Sequence, residues 1–207
     1  MIAIVDYGLG NLGSIQNMLK KIGYKSLISH SSQDIEQADK LILPGVGAFD
    51  KGMENLRSTG LIPLLNHKVL EEKVPILGIC LGMQLLTRRS EEGGAIEPGL
   101  GWIQADTVRF NINNHLSLRI PHMGWNFVEI QADNLLAHAM PDDARFYFVH
   151  SYHPVCDDMS DCFITTTYGD KFAAGIHREN VYGVQFHPEK SHKYGMQLLR
   201  NFVELVN

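Results

Sequence analysis

The 207-residue chain is 44% hydrophobic, 20% charged and 9% aromatic, a composition typical of globular proteins that excludes disordered, fibrous and collagen-like chains. Its 18 lysine and arginine residues face 23 acidic residues, giving a net charge of −5 that argues against a nucleic-acid partner. The length, with no repeat or linker, favours a single domain over residues 1–207.

The first half of the chain alternates strand and helix patterns. Short apolar runs predict four strands, at residues 2–5, 26–29, 41–43 and 74–79. Helical spacing of apolar residues predicts helices over residues 12–22, 53–70 (broken near 59–63) and 82–87. Apolar strands that alternate with helices are typical of a parallel sheet covered on both faces.

The second half contains short strand patterns separated by turn residues. They lie at residues 103–110, 126–130, 145–149, 163–168, 172–177 and 181–186. An amphipathic helix over residues 194–206 ends the pattern. We therefore predict a three-layer α/β/α sandwich, with a largely parallel central sheet and antiparallel additions to it.

The chain shows no sign of export or membrane insertion. Its first residues lack the basic stretch of a signal peptide, and no apolar run approaches the roughly 18 residues of a membrane span. Cys80, Cys156 and Cys162 are odd in number and sparse, unlike the disulfide framework of a secreted module. We expect a cytoplasmic protein with reduced thiols.

The segment G-L-G-N-L-G at residues 8–13 follows the first strand and precedes a helix, as in dinucleotide-binding turns. Those sites need an acidic residue about 20 positions on, where this chain has Ser29-His30-Ser31, and Asp34 comes too late. The pattern favours a tight turn with Asn11 as the helix cap, and no cofactor is predicted.

The segment G-I-C-L-G at residues 78–82 joins a predicted strand to a predicted helix, which is the nucleophile-elbow pattern with cysteine as the nucleophile. Small neighbours permit the sharp turn, and the helix N-terminus favours a thiolate. The alternative is that Cys80 is an ordinary core residue, and the motif alone leaves both interpretations open.

His187 and Glu189, in Q-F-H-P-E at residues 185–189, decide between them. A cysteine nucleophile needs a base, and the base needs a partner that fixes its tautomer. Pro188 restricts the backbone between the two side chains. Together with Cys80 these residues predict a Cys-His-Glu triad.

A zinc site is the remaining alternative. Four potential ligands lie close together in the sequence: His150, His153, Cys156 and Cys162. The spacing matches neither C-x-x-C nor H-E-x-x-H, and Pro154 predicts a turn. We predict no metal site, and expect the two cysteines to flank an acidic loop over residues 157–161.

The segments G-I-C-L-G-M-Q at residues 78–84 and Q-F-H-P-E resemble the class I, or triad, glutamine amidotransferases. More closely, the chain resembles that family's glutaminase subunits of imidazole glycerol phosphate synthases. The further similar stretches are residues 6–8, 10–12, 43–49, 99–102, 121–126 and 148–152. The resemblance covers essentially the whole chain and implies a flavodoxin-like amidotransferase fold.

The resemblance implies that Cys80 attacks the glutamine side-chain amide, that His187 transfers protons and that Glu189 holds His187. The oxyanion donors would be the backbone N–H of Leu81 and a second N–H from Gly45, Val46 and Gly47. The residues matching positions that hold glutamine are Gln84, Ser151 and Tyr152.

The resemblance also implies a partner, a separate (β/α)8-barrel cyclase that receives ammonia and makes imidazole glycerol phosphate and an aminoimidazole carboxamide ribotide. A barrel needs about 250 residues, which this chain does not have. The expected docking surface comprises Gly10, Asn11, Pro121, His122, Met123 and Trp125. The alternative for Trp125 is a place in the core.

Two other functions stay open. The first is a paralogous glutaminase that supplies ammonia to a barrel-like partner for sugar amidation in surface-polysaccharide synthesis. It is suggested by residues 189–195, E-K-S-H-K-Y-G, which are more basic and aromatic than the expected continuation. The second is a non-enzymatic subunit, which would predict a broken triad, whereas all three triad residues are present.

Overall fold

The computed structural model describes residues 1–93, 97–112 and 118–206. Its strands are β1 (Ile2–Val5), β2 (Ser26–Ser29), β3 (Lys40–Gly45), β4 (Ile76–Cys80), β5 (Thr87–Ser90), β6 (Glu97–Pro98), β7 (Ile103–Arg109), β8 (His122–Phe127), β9 (Glu129–Ile130), β10 (Arg145–His150), β11 (Tyr152–Cys156), β12 (Cys162–Tyr168), β13 (Asp170–Arg178) and β14 (Val181–Val184). Its α-helices are α1 (Leu12–Lys21), α2 (Ser32–Glu36), α3 (Phe49–Ser58), α4 (Ile62–Asn66), α5 (Leu81–Leu85) and α6 (His192–Glu204). A π-helical turn (His67–Glu71) follows α4, and 3-10 turns lie at Leu135–Ala137, Met159–Asp161 and Pro188–Lys190.

The central sheet has the strand order β2-β1-β3-β4-β14-β13-β12-β9. The first five strands in that order are parallel, and the last three are added antiparallel. This confirms the largely parallel sheet. The other strands form two separate sheets, β11-β7-β5-β6 and β10-β8, so only part of the second half extends the central sheet as predicted.

Both faces of the central sheet are covered by helices. Successive residues of a strand point to opposite sides of the sheet, so alternate residues of β1 belong to different apolar clusters. Ile2 and Ile4 of β1 pack in one apolar cluster with residues of α1 and α6. Ala3 and Val5 pack in the other with residues of α3 and α4. These two clusters make the three layers that the apolar strand patterns predicted.

Several element boundaries differ from the prediction. Strand β3 continues through Pro44 to Gly45, because there it has passed the end of β1 and pairs only with β4. Helix α5 ends at Leu85 and Thr87 already begins β5. The predicted strand at 126–130 is divided at Val128 between β8 and β9, which belong to different sheets.

Pro154 does not form the predicted turn but lies within β11. That strand is at the edge of its sheet and pairs with β7 alone, so the N–H that proline lacks is not required. As predicted, Cys156 and Cys162 flank the acidic loop, and both are free thiols. None of the helices in the described part of the chain is long and apolar enough to cross a membrane.

The turn after β1 needs its glycines for shape. Gly8 and Gly10 have φ values of 85° and 116°, and a Cβ on Gly10 would lie 3.1 Å from the Pro44 Cβ. The turn therefore packs closely on the end of β3. Asn11 takes the N-cap position of α1, but its side chain makes no capping hydrogen bond within the described residues.

Candidate active site

Cys80 lies at the sharp turn between β4 and α5, with φ 55° and ψ −110°, a region that non-glycine residues rarely adopt. The flanking glycines make this turn possible. A Cβ on Gly78 would lie 2.7 Å from the Gly82 carbonyl oxygen, and one on Gly82 would lie 1.7 Å from the Leu43 carbonyl oxygen. The elbow therefore tolerates no larger side chain at either glycine.

His187 follows the end of β14 and is held by β10. Its N–H donates to the Tyr147 carbonyl oxygen at 2.9 Å, and the Tyr147 N–H donates back to Ser191 Oγ at 3.0 Å. Ser191 Oγ in turn donates to the His187 carbonyl oxygen at 2.6 Å. These bonds fix the backbone on both sides of the 3-10 turn that contains Glu189.

The side chains of His187 and Glu189 form a buried pair. Nδ1 of His187 lies 2.8 Å from Oε1 of Glu189, and the two side chains are 2% and 1% exposed. Burial acts to lower the pKa of His187, but its interactions with Cys80 and Glu189 outweigh that effect and raise the pKa to about 9. His187 Nε2 is buried with no hydrogen-bond partner among the described residues, so it can serve a reacting group.

Two buried glutamines lie beside the nucleophile. Gln185 Nε2 is 3.8 Å from Cys80 Sγ, and Gln185 Oε1 accepts a hydrogen bond from Gln84 Nε2 at 3.1 Å. Gln84 Nε2 also donates to the Tyr152 carbonyl oxygen at 3.0 Å. Gln185 belongs to the Q-F-H-P-E motif, but its contact with sulfur depends on the pairing of β14 with β4.

A cavity of about 180 Å³ opens at the sulfur. Its volume is below the roughly 300 Å³ of sites for drug-sized ligands and suits a small substrate. Its lining is Val46, Gly47, Cys80, Leu81, Gln84, Val149, His150, Ser151, Tyr152 and His187. The structure thus gathers eight of the predicted site residues, and adds Val149 and His150, which were not among the predicted site residues.

Gly45 and Glu189 do not line this cavity. Gly45 pairs with Cys80 in the sheet, and a Cβ there would lie 2.5 Å from the Tyr7 hydroxyl and 2.8 Å from Leu81 Cβ. Gly45 is therefore a close-packing position behind the elbow rather than a cavity wall. Gly47, with φ 106° and nothing within 4 Å of an added Cβ, is the open part of this segment.

The predicted docking residues divide between surface and interior. Met123 and Trp125 are 62% and 44% exposed, so Trp125 is not a core residue, and Pro121 is also exposed. Gly10 and Asn11 are half-buried. His122 is only 3% exposed, which contradicts its prediction as a surface residue: the alternation of β8 turns its ring inward, onto Phe148.

The four potential zinc ligands do not converge. Within residues 1–93, 97–112 and 118–206, no group of three His, Cys, Asp or Glu side chains is placed to hold a metal ion. His153 instead packs against Phe110 and Phe172.

The chain matches known proteins over its whole length. The profile of the family "Glutamine amidotransferase class-I" matches residues 3–206, and the chain belongs to that family. Within it, the chain is 53% identical to "Imidazole glycerol phosphate synthase subunit HisH 2" of Methanococcus maripaludis (99% of each chain) and of Pseudomonas aeruginosa (100% of each). It is 43% identical to subunit HisH of Leptospira borgpetersenii, over 99% of this chain and 100% of that one.

Solved structures share the fold. A crystal structure of a glutamine amidotransferase gives a TM-score of 0.73 at 21% identity, over 100% of this chain and 99% of that one. The structure of PurLQS from Thermotoga maritima gives a TM-score of 0.76 at 16% identity, over 100% and 98%. These likenesses confirm the fold class, the α/β amidotransferase architecture.

Proposed function

We propose that the chain is the glutaminase subunit of an imidazole glycerol phosphate synthase, with Cys80, His187 and Glu189 as its catalytic triad. The observation that carries the proposal is that a strained elbow cysteine and the histidine of a buried His-Glu pair line one small cavity. The whole-length similarity to synthase subunits named HisH supports the same function.

The reaction proceeds in two halves. The Cys80 thiolate adds to the side-chain amide carbon of glutamine, and the His187 imidazolium gives its proton to the leaving nitrogen, releasing ammonia and leaving a glutamyl thioester. Water then attacks the thioester while His187 takes its proton, and glutamate leaves as the thiolate is restored. Glu189 keeps Nδ1 of His187 protonated, so that Nε2 faces the reaction.

The oxyanion formed in each half needs N–H donors that are already in place. The N–H of Leu81, directly after the nucleophile, supplies one, and the segment Val46–Gly47 supplies the other. Val46 is 40% exposed, and Gly47 has a positive φ that glycine adopts readily. Both properties support a peptide that reorients when a partner binds beside it. Gln84, Ser151 and Tyr152 hold the substrate.

The partner in this proposal is a (β/α)8-barrel cyclase that receives ammonia in the cytoplasm. The surface of this chain that docks the barrel is the outer face of β8, where Met123, Trp125 and Phe127 are all strongly exposed. Three large apolar residues in a row on the surface are typical of an interface. Pro121, Gly10 and Asn11 extend this surface.

A second candidate function differs only in the ammonia acceptor, a sugar amidated in surface-polysaccharide synthesis. The specific observation in its favour is His192, in the segment that departs from the expected continuation. It has φ 46°, and its ring stacks on Trp125 with the centroids 5.6 Å apart. His192 of this segment therefore lies beside Trp125 on the docking surface, where it would select a different barrel.

Glutamate release from glutamine tests the proposal, with the chain alone and with a separately produced cyclase barrel and its nucleotide ligand. We expect weak activity alone, a steep increase with the liganded barrel, and complete loss in Cys80→Ala. The Cys80→Ala complex should still use free ammonia, which controls for folding and docking. Glutamine-dependent activity in Cys80→Ala would refute the nucleophile, and a wild-type chain indifferent to that barrel would favour the second candidate.

A further inference from the structure

A chain of hydrogen bonds leads inward from β8 to the wall of the cavity. Asn126 Nδ2 lies 3.3 Å from His122 Nε2, and His122 Nδ1 lies 3.0 Å from His150 Nε2. His150 Nδ1 lies 2.8 Å from the carbonyl oxygen of Tyr152. His122 and His150 are 3% and 6% exposed, so the contact between their rings is shielded from water.

The chemistry of the two ends sets the direction of every bond. The Tyr152 carbonyl can only accept, so His150 Nδ1 must hold the proton, and the Nε2 of a neutral His150 must accept from His122 Nδ1. His122 Nε2 is then an acceptor, which suits the Asn126 amide N–H. Asn126 Nδ2 is fixed in that orientation because it also donates to the Thr167 carbonyl oxygen at 2.9 Å.

Both rings are held in the neutral form that this pattern requires. Burial lowers the pKa of His122 to about 4. Burial also lowers the pKa of His150, more than the hydrogen bond to Tyr152 raises it. A protonated ring in either position would place two N–H donors against each other.

The series of hydrogen bonds continues from Tyr152 to the nucleophile. The Tyr152 carbonyl oxygen that accepts from His150 also accepts from Gln84 Nε2, which fixes the orientation of that amide. The same Nε2 donates to Gln185 Oε1, leaving Gln185 Nε2 directed at Cys80 Sγ. The orientation of the donor that faces sulfur is thus tied to the orientation of Tyr152.

We propose that Asn126, His122 and His150 form a one-directional hydrogen-bond relay that fixes the Tyr152 carbonyl and the glutamine pair beside Cys80, making His122 and Asn126 positioning residues for glutamine hydrolysis. The inference rests on the proposed glutaminase function. Neither His122 nor Asn126 lines the cavity, so both act through His150.

Two variants of His122 separate positioning from packing. His122→Phe keeps a ring against Phe148 and Tyr168, whose centroids lie 4.8 and 4.2 Å from that of His122, but leaves His150 Nε2 without a donor. His122→Asn loses the ring but keeps an N–H at the position of Nδ1. The relay predicts a fall in kcat/KM of about 10- to 100-fold for His122→Phe, with His122→Asn much closer to wild type. A packing role predicts the reverse order.

His177→Phe is the matched control, because His177 also stacks on a ring, that of Tyr182, away from the cavity. It should leave kcat/KM unchanged. Thermal unfolding of each variant checks that it is folded. Equal activity of the two His122 variants, or a more active His122→Phe, would overturn the relay.

Nitrogen-15 NMR of the histidine rings tests the relay without turnover. At pH 7 we expect His122 and His150 to be neutral with the proton on Nδ1, and Asn126→Ala to shift the His122 Nε2 resonance. A protonated ring or an Nε2–H tautomer at either residue would refute the relay. If the wild-type chain released no glutamate under any condition, the proposed function would fail while this measurement still decided the relay.

Discussion

Replacing Glu189 by glutamine tests how much the buried pair contributes to turnover. The substitution keeps the size of the side chain and removes a charge that lies 2.8 Å from His187 Nδ1. A hydrogen bond to a charged group is worth about 1.5–3 kcal/mol, and the two side chains are too buried for water to replace it. At about 1.4 kcal/mol for each tenfold change in rate, kcat should fall roughly 10- to 150-fold.

The loss becomes larger if the new amide turns its NH₂ toward Nδ1. That orientation would require the other tautomer of His187 and remove the base from Nε2, an effect that reaches about 10⁴-fold in a serine-protease triad. KM should change little in either case, because Glu189 does not line the cavity.

The assay is the rate of glutamate release against glutamine concentration, measured with the activating partner from pH 6 to pH 10. The wild type should lose activity as the pH rises through about 9, where His187 gives up the proton that the leaving nitrogen needs. In Glu189→Gln this loss of activity should occur at lower pH, because the charge that raises the pKa of His187 is gone. Glu179→Gln, which removes an equivalent charge from an exposed pair with Lys73, is the control. An unchanged kcat with a raised KM would refute the orienting role.

Two further predictions concern stability. The pKa of His187 rises from 6.5 to about 9 on folding, so the protonated ring stabilises the fold fully below pH 6.5. Once the pH has passed 9, this contribution of roughly 3 kcal/mol to the free energy of unfolding is lost. Thermal unfolding at pH 6 and pH 9.5 should show the loss in the wild type and not in His187→Gln. Gly82→Ala should cost more than about 3 kcal/mol, because the new Cβ would overlap the Leu43 carbonyl oxygen at 1.7 Å. Gly13→Ala, in α1 with nothing within 4 Å, should instead stabilise by about 0.5–1 kcal/mol, and denaturant unfolding that shows equal effects would contradict the steric argument.

The parallel half of the fold could be predicted because its signals are local. Strands β1, β3 and β4 lie in apolar runs, each followed by a turn or a helix whose pattern is visible in the sequence, and β2 has only two apolar residues, which follow the end of α1. Strand β5 could not be predicted, since Thr87–Ser90 contains two arginines and no apolar residue. It forms because its backbone pairs with β6 and β7, while Arg88 and Arg89 both reach Asp106 of β7 at 2.8 Å.

The same distinction, between local sequence signals and contacts made only in the fold, applies to the site. Cys80 belongs to a turn pattern, and the interval between His187 and Glu189 is short, so the sequence alone predicts a triad. Val149 and His150 lie at the end of β10, next to the predicted Ser151 and Tyr152, but only the folded structure shows that they too line the cavity. The contact of Gln185 with the sulfur likewise exists only because β14 pairs with β4.

Strand β8 is inverted with respect to the usual rule for a half-buried strand. Met123, Trp125 and Phe127 point outward, while His122 is buried and Asn126 half-buried on the opposite face. The rule that apolar residues point inward would therefore assign both faces wrongly. Hydrophobic burial within this chain does not explain the inversion, since it leaves three large apolar side chains in water.

The proposed docking surface and the proposed relay would together account for the inverted strand. The outer face suits a partner that covers it, and the inner face supplies hydrogen-bonding groups that the wall of the cavity needs. Because residues on the two faces alternate along one backbone, a partner that shifts β8 would move His122 and Asn126 with it. If both proposals hold, the strand that meets the partner and the strand that orients the glutamine site are the same six residues.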